Sequence, residues 1–202
     1  MSNASKTVTT AAALDSGYDW RASVGLALVA LLVMGLLYSL AGASLGRALF
    51  PDQATGSIIE RDGKAVGSAL IAQPFVADGY FRARPSGPNY DPMAAAGSNQ
   101  ARSNPDLRKR IDEARAAVAA REGIAPQTVP IELITQSGGG LDPHVTPQGA
   151  RVQAARVAKA RGIDVARVEQ LIAQHVEGPQ FGLLGQPRVN VLELNLALDA
   201  MK

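Results

Sequence analysis

The chain has 202 residues, of which 47% are hydrophobic and 19% are charged. Its formal net charge of +2 is small for this length and gives no electrostatic reason to expect nucleic acid as a partner. The sequence contains no cysteine, which excludes disulfides, thiolate nucleophiles and cysteine-based zinc sites. The composition therefore allows one folded domain together with a more apolar segment.

The apolar segment is the stretch 22–46, which carries no charged residue. As a helix it would extend about 37 Å, enough to cross a hydrocarbon core of about 30 Å. Trp20 and Tyr38 are suited to anchor it at the membrane interfaces. The alternatives are a buried helix of a soluble protein and a cleaved signal peptide, for which AGA at 41–43 resembles a cleavage site. The length of the run favours a retained transmembrane helix.

The charges that flank this helix leave its orientation open. Lys6 and Arg21 precede it, whereas Arg47, Arg61 and Lys64 follow it closely. The rule that cytoplasmic flanks are richer in lysine and arginine therefore gives a near tie.

Two features are predicted between the apolar helix and the next helix. A β-hairpin over 56–72 is indicated by Asp62-Gly63, because tight hairpin turns need positive φ at both central residues. The stretch 74–105 is rich in proline, glycine, serine and asparagine but also contains several aromatic residues. Exposed aromatic side chains would lose the burial that they can provide, so we expect an ordered loop that packs against the domain.

Three helices are predicted from their capping residues. Asn104 and Pro105 begin the first helix, which Gly123 ends. Thr146 and Pro147 begin the second. It ends at Gly162, and Asp164 caps the third. The apolar stripe of the first helix is Leu107, Ile111, Ala114 and Val118, and the shared face of the third is Val165, Val168, Leu171, Ile172 and His175.

The C-terminal segment alternates between apolar and polar residues and then changes phase. Val189 and Val191 alternate first, after which Leu192, Leu194 and Leu196 continue in the opposite phase. Either a bulge or a strand that passes into a short helix would account for the shift. The predicted fold class is therefore α+β: one N-terminal transmembrane helix, then a compact domain with a small, mostly antiparallel sheet and about three helices.

The stretch QSGGGLDPHVTP, 136–147, is the strongest candidate for a shaped loop. Glycine-rich loops that precede helices are natural anion sites. The sequence, however, contains neither a Walker A string nor the spacing of a dinucleotide fingerprint, because Pro143 stands where the third glycine would be. A structural turn that sets the second helix against the preceding segment is the favoured interpretation.

Catalytic and metal chemistry have weaker support. Ser137 lacks the glycine of a nucleophile elbow, since Thr135 occupies that position. Asp142 and His144 are two residues apart, which is common by chance, and Asp142 before a proline suits a turn. With only two histidines in the chain, and His175 on the apolar face of a helix, no metal site is predicted.

The second and third helices, joined at Gly162, also have the outline of a helix-turn-helix. The basic side chains point several ways around the helices instead of forming one stripe, so a solvated helical pair is favoured. The candidate phosphate contacts would be Arg151, Arg156, Lys159, Arg161 and Arg167.

Several long blocks, in order, resemble the C subunit of the Kdp potassium-transporting P-type ATPase, a bacterial membrane complex. The resemblance extends from the apolar helix almost to the C-terminus. The blocks are YFRARPSGPNYDP at 80–92, GSN at 97–99, SGGGLDPHVTP at 137–147, QAARVAKARG at 153–162 and VNVLELNLALD at 189–199.

The resemblance implies an accessory subunit that crosses the bacterial inner membrane once. Residues 1–21 would be a short cytoplasmic tail, 22–46 the transmembrane helix and 47–202 an extracytoplasmic, periplasmic domain. The implied partners are a channel-like potassium-binding subunit, an ATP-hydrolysing subunit and a small membrane subunit, in addition to the lipid bilayer and without nucleic acid. The isolated chain is expected not to be an enzyme.

The family is described as a catalytic chaperone that raises the ATP affinity of the ATP-hydrolysing subunit. A glutamine and the glycine-rich loop are proposed to touch nucleotide. Because an extracytoplasmic domain meets no cytoplasmic ATP, we expect no tightly bound cofactor, and ATP only through the complex. The nucleotide-contact candidates that the resemblance implies are Ser137, Gly138, Gly139, Gly140, Gln148 and Gln153.

We further expect the transmembrane helix and the loop at 80–99 to dock on the potassium-binding subunit. The alternative function is a membrane-anchored signalling or helix-turn-helix DNA-binding module, and the side of the membrane on which the domain lies would separate the two. The candidate docking residues are Tyr80, Phe81, Arg84, Ser86, Tyr90, Asn99, Asp142 and His144.

Overall fold

The computed structural model describes residues 20–201. It divides the chain into two units, Met1–Ala54 and Thr55–Lys202. The predicted cytoplasmic tail, 1–21, therefore lies almost wholly outside the described residues.

The first unit is a long apolar helix. It is continuous over Trp20–Leu49 and is long and apolar enough to cross a membrane, judged by length and composition. Its two α-helical parts are α1 (Trp20–Ala30) and α2 (Tyr38–Leu49), joined by a π-helical turn at Leu31–Leu37. A short helix, α3 (Pro51–Ala54), follows.

The predicted hairpin begins the second unit. Strands β1 (Ile58–Arg61) and β2 (Lys64–Ser68) pair antiparallel, with an irregularity in register after Ile59. Asp62 and Gly63 form the turn at φ of 53° and 73°. The positive φ values that the Asp-Gly sequence favours are thus present, and the hairpin prediction is confirmed.

The first helix of the domain, α4 (Pro105–Glu122), begins and ends where its caps predict. The Asn104 side chain accepts a hydrogen bond from the Asp106 N–H at 2.9 Å, which satisfies one of the free amides of the first turn. Gly123 closes the helix at a left-handed φ of 68°. On its apolar stripe Val118 is buried, whereas Leu107, Ile111 and Ala114 are half-buried.

Helices α5 (Pro147–Arg161) and α6 (Val165–Gln174) also follow their predicted caps. Thr146 accepts from the Gly149 N–H at 2.9 Å, and Asp164 accepts from the Ala166 N–H at 2.9 Å. Gly162 joins the two helices in the left-handed conformation, with φ of 66°. On the shared face of α6, Val168 and Ile172 are fully buried.

A three-stranded antiparallel sheet and the last helix complete the domain. Its strands are β3 (His144–Val145), β4 (Val176–Glu177) and β5 (Arg188–Asn190), and β5 lies between the other two. Strand β5 passes directly into α7 (Val191–Ala200). This transition explains the change of phase in the C-terminal segment, and the strand-to-helix alternative is the correct one.

The hydrophobic core lies among α4, α5, α6, α7 and the sheet. Burying each large side chain there contributes about 1.5–3 kcal/mol relative to exposure. The buried face of α5 includes four small residues, Gly149, Ala150, Ala154 and Ala158. The fold is α+β, as predicted. The fully buried core side chains include Phe81, Val145, Val157, Val168, Ile172, Val189, Leu194 and Leu198.

Candidate functional site

The loop between β2 and α4 is ordered without strands of its own, because side chains from two helices bind its backbone. The Phe81 N–H donates to Asn195 Oδ1 at 2.8 Å, and Asn195 Nδ2 donates to the Phe81 carbonyl at 2.9 Å. Gln153 holds Arg82 in the same way. The Arg82 N–H donates to Gln153 Oε1 at 2.9 Å, and Gln153 Nε2 donates to the Arg82 carbonyl at 3.1 Å. We call the side chains of Gln153 and Asn195, with these four hydrogen bonds, the amide clamp.

Both amides of the clamp are buried and fully engaged. Gln153 is 0% exposed, and its side chain also donates to the Gly149 carbonyl at 3.1 Å and accepts from Arg156 Nη2 at 2.9 Å. Asn195 is 1% exposed. A nucleotide would have to displace these bonds to reach Gln153, whereas Gln148 lies exposed on the first turn of α5.

Tyr80 is fixed by a cation on α5 and an acid on α7. The guanidinium of Arg161 lies over the Tyr80 ring, 4.7 Å from its centroid, and pairs with Asp199 at 2.6 Å. The Tyr80 hydroxyl donates to Asp199 Oδ2 at 3.2 Å. Phe75 packs on the same ring with centroids 5.4 Å apart. The aromatic residues of the loop are therefore packed, as predicted.

Arg84, Asp142 and His144 form a second connection, between the loop and the end of the glycine-rich turn. Arg84 Nη1 lies 3.1 Å from Asp142 Oδ2, and the His144 N–H donates to Asp142 Oδ1 at 3.0 Å. Burial alone would raise the pKa of the Asp142 carboxyl. The hydrogen bonds from His144 and Arg84 more than offset this effect and lower the pKa to about 2. Asp142 is thus a carboxylate held between two donors.

Tyr90 and Ser86 form hydrogen bonds within the loop. The Tyr90 hydroxyl donates to the Arg84 carbonyl at 3.0 Å, and the Tyr90 N–H donates to Ser86 Oγ at 2.8 Å. Burial raises the pKa of the Tyr90 hydroxyl, although the nearby Arg82 and Arg121 act in the opposite direction. The backbone of Tyr90 is left-handed, with φ of 64°, so these bonds hold it in a conformation that few non-glycine residues adopt.

The glycine-rich turn at 137–140 packs against this loop. The Ser137 N–H donates to the Pro85 carbonyl at 3.2 Å. A Cβ at Gly140, whose φ is +74°, would lie 2.4 Å from Cδ of Pro88, and one at Gly97 would lie 2.6 Å from the Gly138 carbonyl oxygen. Gly140 therefore lets the turn lie against the Pro88 ring, and Gly97 lets backbone pack closely on backbone.

A buried ion pair beneath the loop was not found from the sequence. Glu122 has a fully buried side chain and accepts from Arg121 Nε at 2.6 Å and Arg156 Nε at 2.9 Å. Arg156 also donates to the Tyr80 carbonyl at 3.0 Å. The amide clamp was missed as well. The available signal was one polar residue on an otherwise apolar helix face, as at Asn195 within VLELNLALD.

The predicted docking residues fall into three groups by exposure. Phe81 is fully buried, so its ring belongs to the core of the domain. Asn99 is exposed, with φ of 48°. The half-buried members are Tyr80, Arg84, Ser86, Tyr90, Asp142 and His144.

The predicted nucleotide residues do not form one surface. Ser137, Gly140 and Gln153 are buried, whereas Gly138, Gly139 and Gln148 are exposed. Gly138 and Gly139 have open space at the position of a Cβ. Within residues 20–201, no group of three or more histidine, aspartate or glutamate side chains is placed to hold a metal ion.

The basic residues of the α5–α6 pair are only partly free. Arg156 and Arg161 are engaged by internal carboxylates, whereas Arg151, Lys159 and Arg167 are exposed. Two of the five candidate phosphate contacts are therefore used inside the domain, which weakens the helix-turn-helix interpretation.

Within residues 20–201, an apolar helix of membrane-spanning length and an α+β domain together define a class of protein: a folded domain that follows a candidate membrane helix. The family described as "K+-transporting ATPase, c chain" matches residues 20–200. The chain belongs to this family and is a subunit of a potassium-transporting ATPase.

Similar proteins agree on this assignment. The chain is 61% identical to the potassium-transporting ATPase KdpC subunit of Xanthomonas campestris pv. campestris strain B100, covering 89% of this chain and 86% of that protein. It is 51% identical to the KdpC subunit of Shewanella putrefaciens, covering 89% and 88%. It is 50% identical to that of Kineococcus radiotolerans, covering 88% and 91%.

Proposed function

We propose that this chain is the accessory, non-hydrolysing subunit of an ATP-driven potassium-uptake complex in the bacterial inner membrane. Its long helix anchors it there, and its domain lies on the periplasmic side. The proposed partners are the channel-like potassium-binding subunit, the ATP-hydrolysing subunit and a small membrane subunit. The rigid loop at 80–99 docks on the potassium-binding subunit and stabilises the assembly.

One observation carries the docking proposal: the amide clamp holds the start of the loop through bonds within the chain itself. An irregular loop loses conformational entropy when it binds, and that loss weakens binding. Here the four hydrogen bonds to Phe81 and Arg82 have already fixed the backbone. A loop whose start is already ordered loses less entropy when its exposed residues, among them Asn99 and Met93, contact a partner.

We propose that any effect on ATP affinity acts at a distance, as a coupling free energy between sites that are joined through the complex. Gln153 supports this proposal because its amide is committed to the loop. The glycine-rich turn supports it too, because Gly140 is buried against Pro88. ATP is then a ligand of the complex and is not held tightly by this chain.

The first experiment determines on which side of the membrane the domain lies. A reporter that is active in one compartment only, fused after Lys202, should report the periplasm. A cytoplasmic result would overturn the topology and with it the argument for coupling at a distance. It would also restore direct nucleotide contact and the DNA-binding alternative as open functions.

The docking proposal is tested by placing a charge on the exposed part of the loop. Met93 is 92% exposed, so Met93→Arg should leave the fold intact while opposing burial of this surface in an interface. We expect at least a tenfold weaker recovery of the subunit with the complex, which corresponds to about 1.4 kcal/mol. Arg84 and Tyr90 are less suitable targets, because both form bonds within the domain.

The matched control is Glu169→Arg, an exposed position on α6. It should leave assembly unchanged. Equal recovery of both variants and the unmodified chain would refute docking through this loop.

A further inference from the structure

The hairpin loop between β4 and β5 exposes three large apolar side chains. Phe181 is 85% exposed, Leu183 is 86% exposed and Leu184 is 60% exposed. We call these three residues the apolar tip. Such clusters on a soluble surface commonly mark a site of interaction with a protein or a membrane.

The apolar tip sits on an ordered turn. The Gln180 N–H donates to the Leu184 carbonyl at 2.8 Å, and the Leu184 N–H donates back to Gln180 at 2.9 Å. Gly182 and Gly185 supply positive φ values of 74° and 87°. The fold thus holds the three side chains outward in a defined shape.

Phe181 is unfavourable for the domain on its own. Its φ of 55° lies in the left-handed region, which is an outlier for a bulky residue. Its ring also remains in water, so it gains no burial. Glycine or asparagine would be less strained in this position. The choice of phenylalanine therefore indicates a contact outside the domain.

The charge pattern favours an apolar environment for this loop. Residues 178–187 contain no charged side chain. The nearest charges, Glu177 and Arg188, pair with each other at 2.7 Å at the base of the hairpin. Entry of the tip into an apolar medium would therefore desolvate no unpaired charge, which is the main cost of such a transfer.

The connection between the apolar helix and the second unit is short. The apolar helix ends at Leu49 and the second unit begins at Thr55, so only residues 50–54 intervene. Even when fully extended, this connection spans about 20 Å. A short covalent connection to an anchored helix keeps the effective concentration of the domain at the membrane high.

We propose that the apolar tip inserts into the interfacial layer of the bilayer that holds the anchor helix, in contact with the boundary between headgroups and acyl chains. Protruding side chains on an uncharged turn suit a fluid lipid surface, and a partner protein would need a matching recess. The tip is then a second, reversible membrane contact that limits rotation of the domain. This inference rests on the proposed membrane anchoring.

The absence of cysteine from the sequence makes the test direct. The full-length variant Leu183→Cys, labelled with an environment-sensitive fluorophore and reconstituted in phosphatidylethanolamine and phosphatidylglycerol vesicles, should show blue-shifted emission. Lipids that carry a shallow quencher should reduce this emission. The same label at Glu169→Cys, on exposed α6, should show neither effect.

A second pair of variants tests whether the apolar side chains of the tip cause the membrane contact. Phe181→Ser with Leu184→Ser should abolish the quenching at position 183. Leu70→Ser, which changes an apolar residue that is 59% exposed elsewhere, should leave it unchanged. Circular dichroism confirms that each variant is folded.

A label at Leu32→Cys separates this inference from the anchoring on which it rests. Quenching at position 32 without quenching at 183 would keep the anchor and overturn the inference. Absence of quenching at both positions would overturn the anchor itself. Protection of the label at 183 only after the other subunits are added would identify a protein as the occupant and equally overturn the lipid contact.

Discussion

The side-chain amide of Gln153 makes the two hydrogen bonds to Arg82 that a neighbouring β-strand would otherwise make. Its oxygen accepts from the Arg82 N–H at 2.9 Å, and its nitrogen donates to the Arg82 carbonyl at 3.1 Å. The Asn195 side chain makes the equivalent two hydrogen bonds to the Phe81 backbone. Buried backbone groups need partners, and here two helices supply them through side chains. Phe81 and Arg82 are therefore paired as strand residues would be, without belonging to a sheet.

Gln153→Leu should destabilise the domain by about 2–4 kcal/mol, because it leaves both part-buried backbone groups of Arg82 without their partners. The free energy of unfolding of the chain in detergent, measured with denaturant, checks this value. Gln148→Leu is the matched control on the same helix. Since Gln148 is exposed, its replacement should change stability by less than about 0.5 kcal/mol. Equal effects of the two variants would contradict the clamp.

The lowered pKa of the Asp142 carboxyl predicts that the free energy of unfolding depends on pH in the acid range. Its pKa in the folded chain, about 2, lies below the ordinary value of 3.8. Its contribution is therefore complete above pH 3.8 and is lost as the pH falls towards 2. With 35% of the side chain exposed, solvent screening reduces this contribution to about 1 kcal/mol.

Asp142→Asn removes the titration and so isolates this contribution. The variant should be less stable than the unmodified chain at pH 7, and the difference should shrink below pH 3.8 and vanish as the pH falls through about 2. Denaturant unfolding at a series of pH values measures it. A difference that stays constant over this range would show that the pairing with Arg84 and His144 does not lower the pKa of Asp142.

Glu122→Gln should cost about 3–5 kcal/mol of stability, because it breaks a buried pair and leaves Arg156 without its carboxylate. The exposed pair of Lys109 and Glu113, 3.9 Å apart, provides the comparison. Glu113→Gln should cost less than about 1 kcal/mol. Thermal unfolding of the two variants side by side would reveal the contrast, and similar losses would argue against a special role for Glu122.

Gly140→Ala should destabilise the junction between the glycine-rich turn and the loop by about 1–3 kcal/mol. Its φ of +74° opposes a side chain, and the new Cβ would collide with Pro88. Gly139→Ala is the control one residue away, where nothing lies within 4 Å of a Cβ. The free energies of unfolding should separate the two variants clearly. A large loss at Gly139 instead would indicate that the exposed side of the turn has a different constraint.

Local signals in the sequence predicted most of the secondary structure. Asn104, Thr146 and Asp164 cap helices because each side chain binds an amide within the next few residues. Asp62-Gly63 forms its turn for an equally local reason. These elements need no distant partner, so the sequence around each one is sufficient.

The loop could be recognised as ordered, but its partners could not be named. Gln153 lies 71 positions from Arg82 and Asn195 lies 114 positions from Phe81, and no short pattern connects such residues. The role of Glu122 could not be predicted for the same reason, since it pairs with Arg156, 34 positions away along the chain. Which buried amide meets which backbone group is decided by packing, and periodicity along the chain carries no information on it.

The π-helical turn at Leu31–Leu37 divides the surface of the long apolar helix into two stripes. A wider turn of this kind adds about one residue to the helical count, and at 3.6 residues per turn this rotates everything after it by about 100°. A neighbouring helix that touches one face of α1 would therefore meet a different face of α2. Substitutions along the span that disturb such a contact should follow one period up to Ala30 and resume out of phase from Tyr38.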